Sequence, residues 1–94
     1  MKQVNLKHMP DFLKVLGFIF DNPNTIVMVI SNRLQITYSH VSGLVTELES
    51  VGLLHCEYTG RVKKINLTDK GKKIGEAFVY LTQALEEIDN GKRV

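Results

Sequence analysis

The segment from Ser31 to Leu54 constrains the fold of this 94-residue chain more than any other. Val41, Leu44, Val45 and Leu48 recur at i, i+3, i+4 and i+7, the spacing of one buried helical face. Thr37 stands just before that run, where a hydroxyl accepts from the unpaired amides of a first helical turn. Gly52 stands just after it, where a residue able to adopt positive φ ends a helix. A helix over residues 37–51 follows. In front of it a short apolar-faced helix ends near Leu34, and Gln35-Ile36 leaves room only for a tight turn. The face of the second helix turned away from the apolar stripe carries Ser39, Gly43, Thr46 and Ser50, with His40 and Ser42 on its flanks. Gly43 costs roughly 1 kcal/mol relative to Ala in a helix interior. It either lets another molecule approach closely or is a neutral surface choice, and the sequence leaves both open.

Helix, tight turn and helix in this order have the layout of a helix-turn-helix, whose second helix enters the major groove of DNA. Small or hydrogen-bonding side chains suit that role, because bulk would hold the backbone away from the bases. The chain downstream agrees. Leu54, Cys56 and Tyr58 alternate with His55, Glu57 and Thr59, a strand signal. Gly60-Arg61 makes a turn, and Val62-Lys63-Lys64-Ile65-Asn66-Leu67 is a second strand, so the pair reads as a β-hairpin with a basic tip, a wing over 58–64. In Leu67-Thr68-Asp69-Lys70-Gly71, Thr68 caps a new helix and Asp69 lies at its positive end.

Upstream, residues 1–8 read as a loose arm. Pro10 suits the first turn of a helix, and Phe12, Leu13, Leu16, Ile19 and Phe20 form its apolar stripe as far as Asp21-Asn22-Pro23-Asn24. Asn24 or Thr25 then caps the next helix, with Ile26, Val29, Ile30 and Leu34 as its buried face. The predicted class is mainly α with a small β-hairpin (α+β), in the order helix, helix, helix, hairpin, long helix, as one domain over residues 1–94.

The long helix, 69–90, carries Ile74, Phe78, Leu81, Leu85 and Ile88 at steps of four, three, four and three, a heptad seam that Ala77 and Ala84 widen. At 1.5 Å per residue it is on the order of 30 Å long, more than so small a domain covers. Homodimerisation through Phe78, Leu81, Leu85 and Ile88 fits, with Phe78 shared between interface and core. The alternative is that this helix folds back onto the first one within a monomer.

Taken in order, the turn and second helix (Leu34-Gln35-Ile36-Thr37 through Leu48-Glu49-Ser50-Val51-Gly52-Leu53), the hairpin and Leu67-Thr68-Asp69-Lys70-Gly71 make the chain resemble the winged-helix DNA-binding domains of the MarR-like superfamily of prokaryotic transcription regulators. The resemblance spans roughly residues 10–75. It implies a winged helix-turn-helix and a cytoplasmic transcription regulator in a prokaryotic or viral setting, with double-stranded DNA and a second copy of the chain as partners. Members of that superfamily are longer and carry further helices, so sensing of a small-molecule effector is not carried over. The recognition face here also lacks Arg and Lys.

Net charge +2 is only mildly basic and permits nucleic-acid binding without demanding it. The single Cys excludes an internal disulfide framework, and Cys56 is expected to face the core of the hairpin. No apolar run is long enough to span a bilayer. His8, His40, His55 and Cys56 lack paired ligand spacing, and neighbours on a strand point to opposite faces, so no metal is expected. No nucleophile has an identifiable base and orienter, and Gly71 and Gly75 follow no P-loop pattern. An enzyme and a cofactor are therefore not expected.

The candidate DNA contacts are Thr37, Tyr38, Ser39, His40, Ser42, Gly43 and Thr46 on the recognition helix, Arg33 at the end of the second helix, and Arg61, Lys63 and Lys64 on the wing. Hydroxyls contact phosphates or base edges with weak selectivity. Basic hairpin tips lie along phosphates or in the minor groove, or simply discourage strand pairing. Two other functions fit the same pattern, a winged-helix protein-interaction module and a non-specific architectural DNA-binding protein.

Overall fold

The computed structural model describes residues 9–92, and side chains only as far as residue 88. The arm expected over residues 1–8 lies outside the described residues. The elements are α1 (Asp11–Asp21), α2 (Val27–Leu34), α3 (Tyr38–Ser50), β1 (Leu54–Thr59), β2 (Val62–Leu67) and α4 (Asp69–Lys92). Type and order are those expected, with α4 reaching two residues beyond the expected end.

Pro10 is the N-cap of α1, and its carbonyl accepts from the amides of Leu13 and Lys14. Val15, Leu16 and Ile19 of this helix are buried. Phe12, expected in the stripe, is exposed, because the face toward the other helices is centred one position further round. α2 also differs from expectation. Its N-cap is Ile26, with no side-chain cap. Thr25 is instead buried in an isolated bridge to the hairpin, where its carbonyl accepts from the Ile65 amide at 2.8 Å. Asn24 takes φ 59° and exchanges two hydrogen bonds with Asn66. The loop is thus drawn against β2, its side chains are used there, and Val27 and Ile30 become the buried pair of α2 while Val29 is exposed.

The turn between α2 and α3 is closed by Ser31. Its carbonyl accepts from the Ile36 amide, its hydroxyl donates to the Ile36 carbonyl at 2.6 Å, and Gln35 takes a left-handed φ of 60°. Such a bond from the second residue past the helix back to its last turn satisfies carbonyls that would otherwise be unpaired. Thr37 caps α3 by accepting from the His40 amide. After α3, Gly52 takes φ 84° and the Leu53 amide donates back to Leu48.

β1 and β2 pair antiparallel from Leu54↔Leu67 to Thr59↔Val62. The two-residue tip has Gly60 at φ 63° while Arg61 keeps negative φ, the pattern of a type II′ turn. On the inner face Leu54, Ile65 and Leu67 are buried and Cys56 packs against the core. The core is completed by Val41, Val45 and Leu48 of α3.

α4 leans on the body through a stripe of small residues. A Cβ on Gly75 would stand 2.9 Å from the Leu16 carbonyl oxygen, one on Gly17 would stand 2.7 Å from the Phe78 ring, and one on Gly71 would collide with the Leu53 carbonyl. Gly71, Gly75 and Phe78 therefore form the side of α4 that faces its own domain. The heptad seam lies partly beside that stripe. Phe78 and Leu85 are half-buried, whereas Leu81 is 43% and Ile88 58% exposed. Folding back onto α1 is thus real for one side of the helix, and among the described residues an apolar side is left over.

Candidate nucleic-acid interface

α3 buries Val41, Val45 and Leu48, packs Leu44 against the same core and turns its opposite face outward. Tyr38 is 57% exposed, and Ser39, His40, Gly43 and Thr46 are exposed, with Ser42 half-buried. A Cβ on Gly43 would meet no described atom within 4 Å. Packing among the described residues therefore gives no reason for a glycine there.

The wing stands beside this surface. Period-two alternation puts Tyr58 and Lys63 on the same face of the hairpin as Leu54, Cys56 and Ile65. The hairpin runs beyond the core, so Tyr58 is 72% exposed there while Lys63 is half-buried. One cleft results. It is lined by Tyr38 and Ser42 of α3, by Ile26, Val27 and Met28 at the uncapped start of α2, and by Tyr58, Arg61, Val62 and Lys63 of the wing. Of the residues expected from sequence, the fold brings Tyr38, Ser42, Arg61 and Lys63 together here. Met28, Tyr58 and Val62 are not among the contacts expected from sequence. The inward register of Tyr58 was readable, but its distance from the core was not.

Other candidates stand elsewhere. Lys64 lies on the outer face of the hairpin, opposite Glu57. The Arg33 guanidinium sits 5.9 Å from the centre of the Phe18 ring, on the α1 side of α2. His40 is tied to α1, with its Nε2 3.1 Å from an Asp11 carboxylate oxygen. The Thr46 hydroxyl donates to the Ser42 carbonyl at 3.1 Å.

Cys56 sits on the inner face of the hairpin, as expected. Burial pushes its thiol above the ordinary value of 9.0, Glu49 on α3 adds to the effect and Lys63 opposes it. Among the described residues no three His, Cys, Asp or Glu side chains converge on a metal-sized site, and no helix is long and apolar enough to cross a membrane.

No protein-family model matches the chain. A stretch of 60 residues is 30% identical to an uncharacterized protein of Archaeoglobus fulgidus, covering 64% of this chain and 63% of that protein. The chain thus spans less than two thirds of that relative's length. A solved structure from Archaeoglobus fulgidus is similar at a TM-score of 0.74 and 25% identity, over 86% of this chain and 96% of its own. MepR of Staphylococcus aureus, a transcription regulator of the multidrug efflux pump MepA, is similar at a TM-score of 0.71 and 27% identity, over 87% of this chain and 63% of its own. FabT of Streptococcus pneumoniae, solved in complex with DNA, is similar at a TM-score of 0.76 over 95% of this chain and 69% of its own, and its 23% identity speaks for the fold alone. The helix order, the hairpin and these likenesses agree, and the chain has the winged-helix fold of these regulators.

Proposed function

We propose that the protein is a cytoplasmic, homodimeric transcription regulator that binds specific sequences of double-stranded DNA through one winged-helix domain. The observation that carries this reading is the shared cleft. The outward face of α3 and the inner face of the wing flank one channel, with cations on the wing side only. A groove-reading helix beside a basic ribbon suits a duplex, the helix entering the major groove and the ribbon following the phosphates or the minor groove. Thr37, Tyr38, Ser39, Ser42, Gly43 and Thr46 then lie toward the bases or the adjoining backbone. Arg61 and Lys63 lie on phosphates, with Arg33, His40 and Lys64 as outlying contacts. The solved complex of FabT with DNA adds support by likeness of fold.

The uncovered side of α4 supports the dimer. Ala77, Leu81, Ala84 and Ile88 follow steps of four, three and four, and a second copy packed there would bury Leu81 and Ile88, with Leu85 at the margin and Phe78 reaching back to α1. Two-fold symmetry would then present two recognition helices to one face of the duplex.

Selection of bound duplexes from a random pool, followed by competition against bulk DNA, tests this reading. A regulator keeps a preferred site under salt and competitor, whereas an architectural protein shows only salt-dependent affinity. Ser39→Glu, exposed and near a helix N-terminus, leaves the fold intact and abolishes binding by repulsion from phosphate. Normal binding by this variant would remove α3 from the interface. The exposed apolar side chains Met28, Tyr38, Tyr58 and Val62 favour one rival, a winged helix that docks a protein, and failure of the selection to enrich any duplex would point there.

A further inference from the structure

The outward stripe of α3 has an unusual chemistry for a helix that reads bases. Residues 38–46 contain no Arg, Lys, Asn, Gln, Asp or Glu. The side chains that read guanine, adenine or cytosine by paired or charged hydrogen bonds are therefore absent. Two of the polar groups that remain are already engaged within the chain. His40 Nε2 is paired with an Asp11 carboxylate oxygen, and the Thr46 hydroxyl donates to the Ser42 carbonyl, so the methyl is the unengaged group of that exposed side chain. The Tyr38 ring stands more than half exposed at the other end of the stripe, and Gly43 between them meets no described atom. Tyr38 and Thr46 are eight residues apart, about 12 Å along the helix at 1.5 Å per residue.

Resting on the DNA-binding reading above, we infer that α3 reads thymine 5-methyl groups, by contact with the Tyr38 ring and the Thr46 methyl, with Gly43 letting the helix seat deeply enough to reach them. Thymine is the base that offers an apolar group in the major groove. The stripe supplies apolar partners at two levels and no group that would require guanine or cytosine. Hydroxyls of Ser39 and Ser42 pair with whatever base edge or phosphate lies beside them. The preferred half-site is accordingly rich in A·T pairs, with its specificity resting on methyl contacts.

The test uses the full chain and its best duplex from random-pool selection, with each thymine replaced singly by deoxyuridine, which pairs identically and lacks the methyl. The expected result is a loss of about fourfold at one or two thymines per half-site, the effect of one buried carbon group, and near-unity ratios elsewhere. Thr46→Ser keeps the hydroxyl bond and removes only the methyl, so it should abolish the penalty at one thymine. Tyr38→Ala should abolish it at another. Both residues are exposed, and unchanged melting temperatures confirm that the variants are folded. Preferential binding with no deoxyuridine penalty, or penalties that persist in both variants, would overturn the inference while leaving the regulator reading intact. Absence of any preferred duplex would overturn both.

Discussion

Gly71 in the first turn of α4 lies directly against the carbonyl of Leu53, so that a Cβ would collide with the Leu53 oxygen. The contact is held from both sides. The Thr68 amide donates to that same carbonyl at 3.1 Å, and the Thr68 hydroxyl donates to the Gly52 carbonyl at 2.6 Å while accepting from the Gly71 amide. The start of the long helix is thereby locked onto the turn that follows α3. Backbone on one side and helix on the other leave nothing flexible to yield. We expect Gly71→Ala to destabilise the protein by about 1–3 kcal/mol, in the range of other overpacked sites. Urea unfolding measures it, and a neutral result would mean that α4 can shift away from Leu53.

Gly43 predicts the opposite sign. It is exposed in the middle of α3, with open space where a side chain would go. Gly43→Ala should raise stability by about 0.5–1 kcal/mol through helix propensity and a less flexible unfolded chain. DNA affinity should fall in the same variant, because the added methyl holds the helix back from the groove. A variant that is more stable and binds as well as the wild type would make Gly43 a neutral surface choice.

The wing cations should divide by face. Arg61 and Lys63 line the cleft beside α3, whereas Lys64 points to the other side of the hairpin. Arg61→Ala and Lys63→Ala should each lower the log–log salt slope of DNA binding by roughly 0.9 for every phosphate that is no longer neutralised. Lys64→Ala should change it least. Equal slopes for all three variants would contradict the orientation of the wing.

Ile88→Lys should separate dimers without unfolding the domain, since the side chain is 58% exposed within one chain. Sedimentation at micromolar concentration should move from about twice to once the 10.6 kDa chain mass. DNA affinity should drop with it, as two half-sites are no longer bound together. A wild-type monomer at that concentration would sink the interface.

Cys56 gives a pH dependence with a definite sign. Its thiol titrates above the ordinary 9.0 in the folded chain, chiefly through burial and then through Glu49. Folding therefore favours the protonated thiol. That contribution is complete below about pH 9, and it is lost as pH rises through the raised folded value. Stability of the wild type should fall more steeply above pH 9 than that of Cys56→Ala, as urea midpoints would report. Parallel profiles would mean that the thiol is solvated as freely as in the unfolded chain.

The helix α3 was legible because every signal for it is local. The apolar period, the Thr37 cap and the positive φ of Gly52 act within one or two turns, and the hairpin register follows from alternation in the same way. The buried faces of α1 and α2 were shifted by contacts that no local pattern carries. Asn24 and Thr25 look like caps in sequence, yet they pair with Asn66 and Ile65 some forty residues away.

The candidate site divides on the same line. Sequence alone determined which side chains α3 turns outward, since helical geometry fixes a face once the apolar stripe is known. Only the tertiary structure decided what those side chains are free to do. It turned His40 toward Asp11, set Tyr58 and Lys63 along one cleft with Tyr38, and used Gly71, Gly75 and Phe78 to lay one side of α4 on its own domain. The physical reason is that face and register are properties of single elements. Whether a face meets solvent, a neighbouring carboxylate or a backbone carbonyl depends on how distant elements pack.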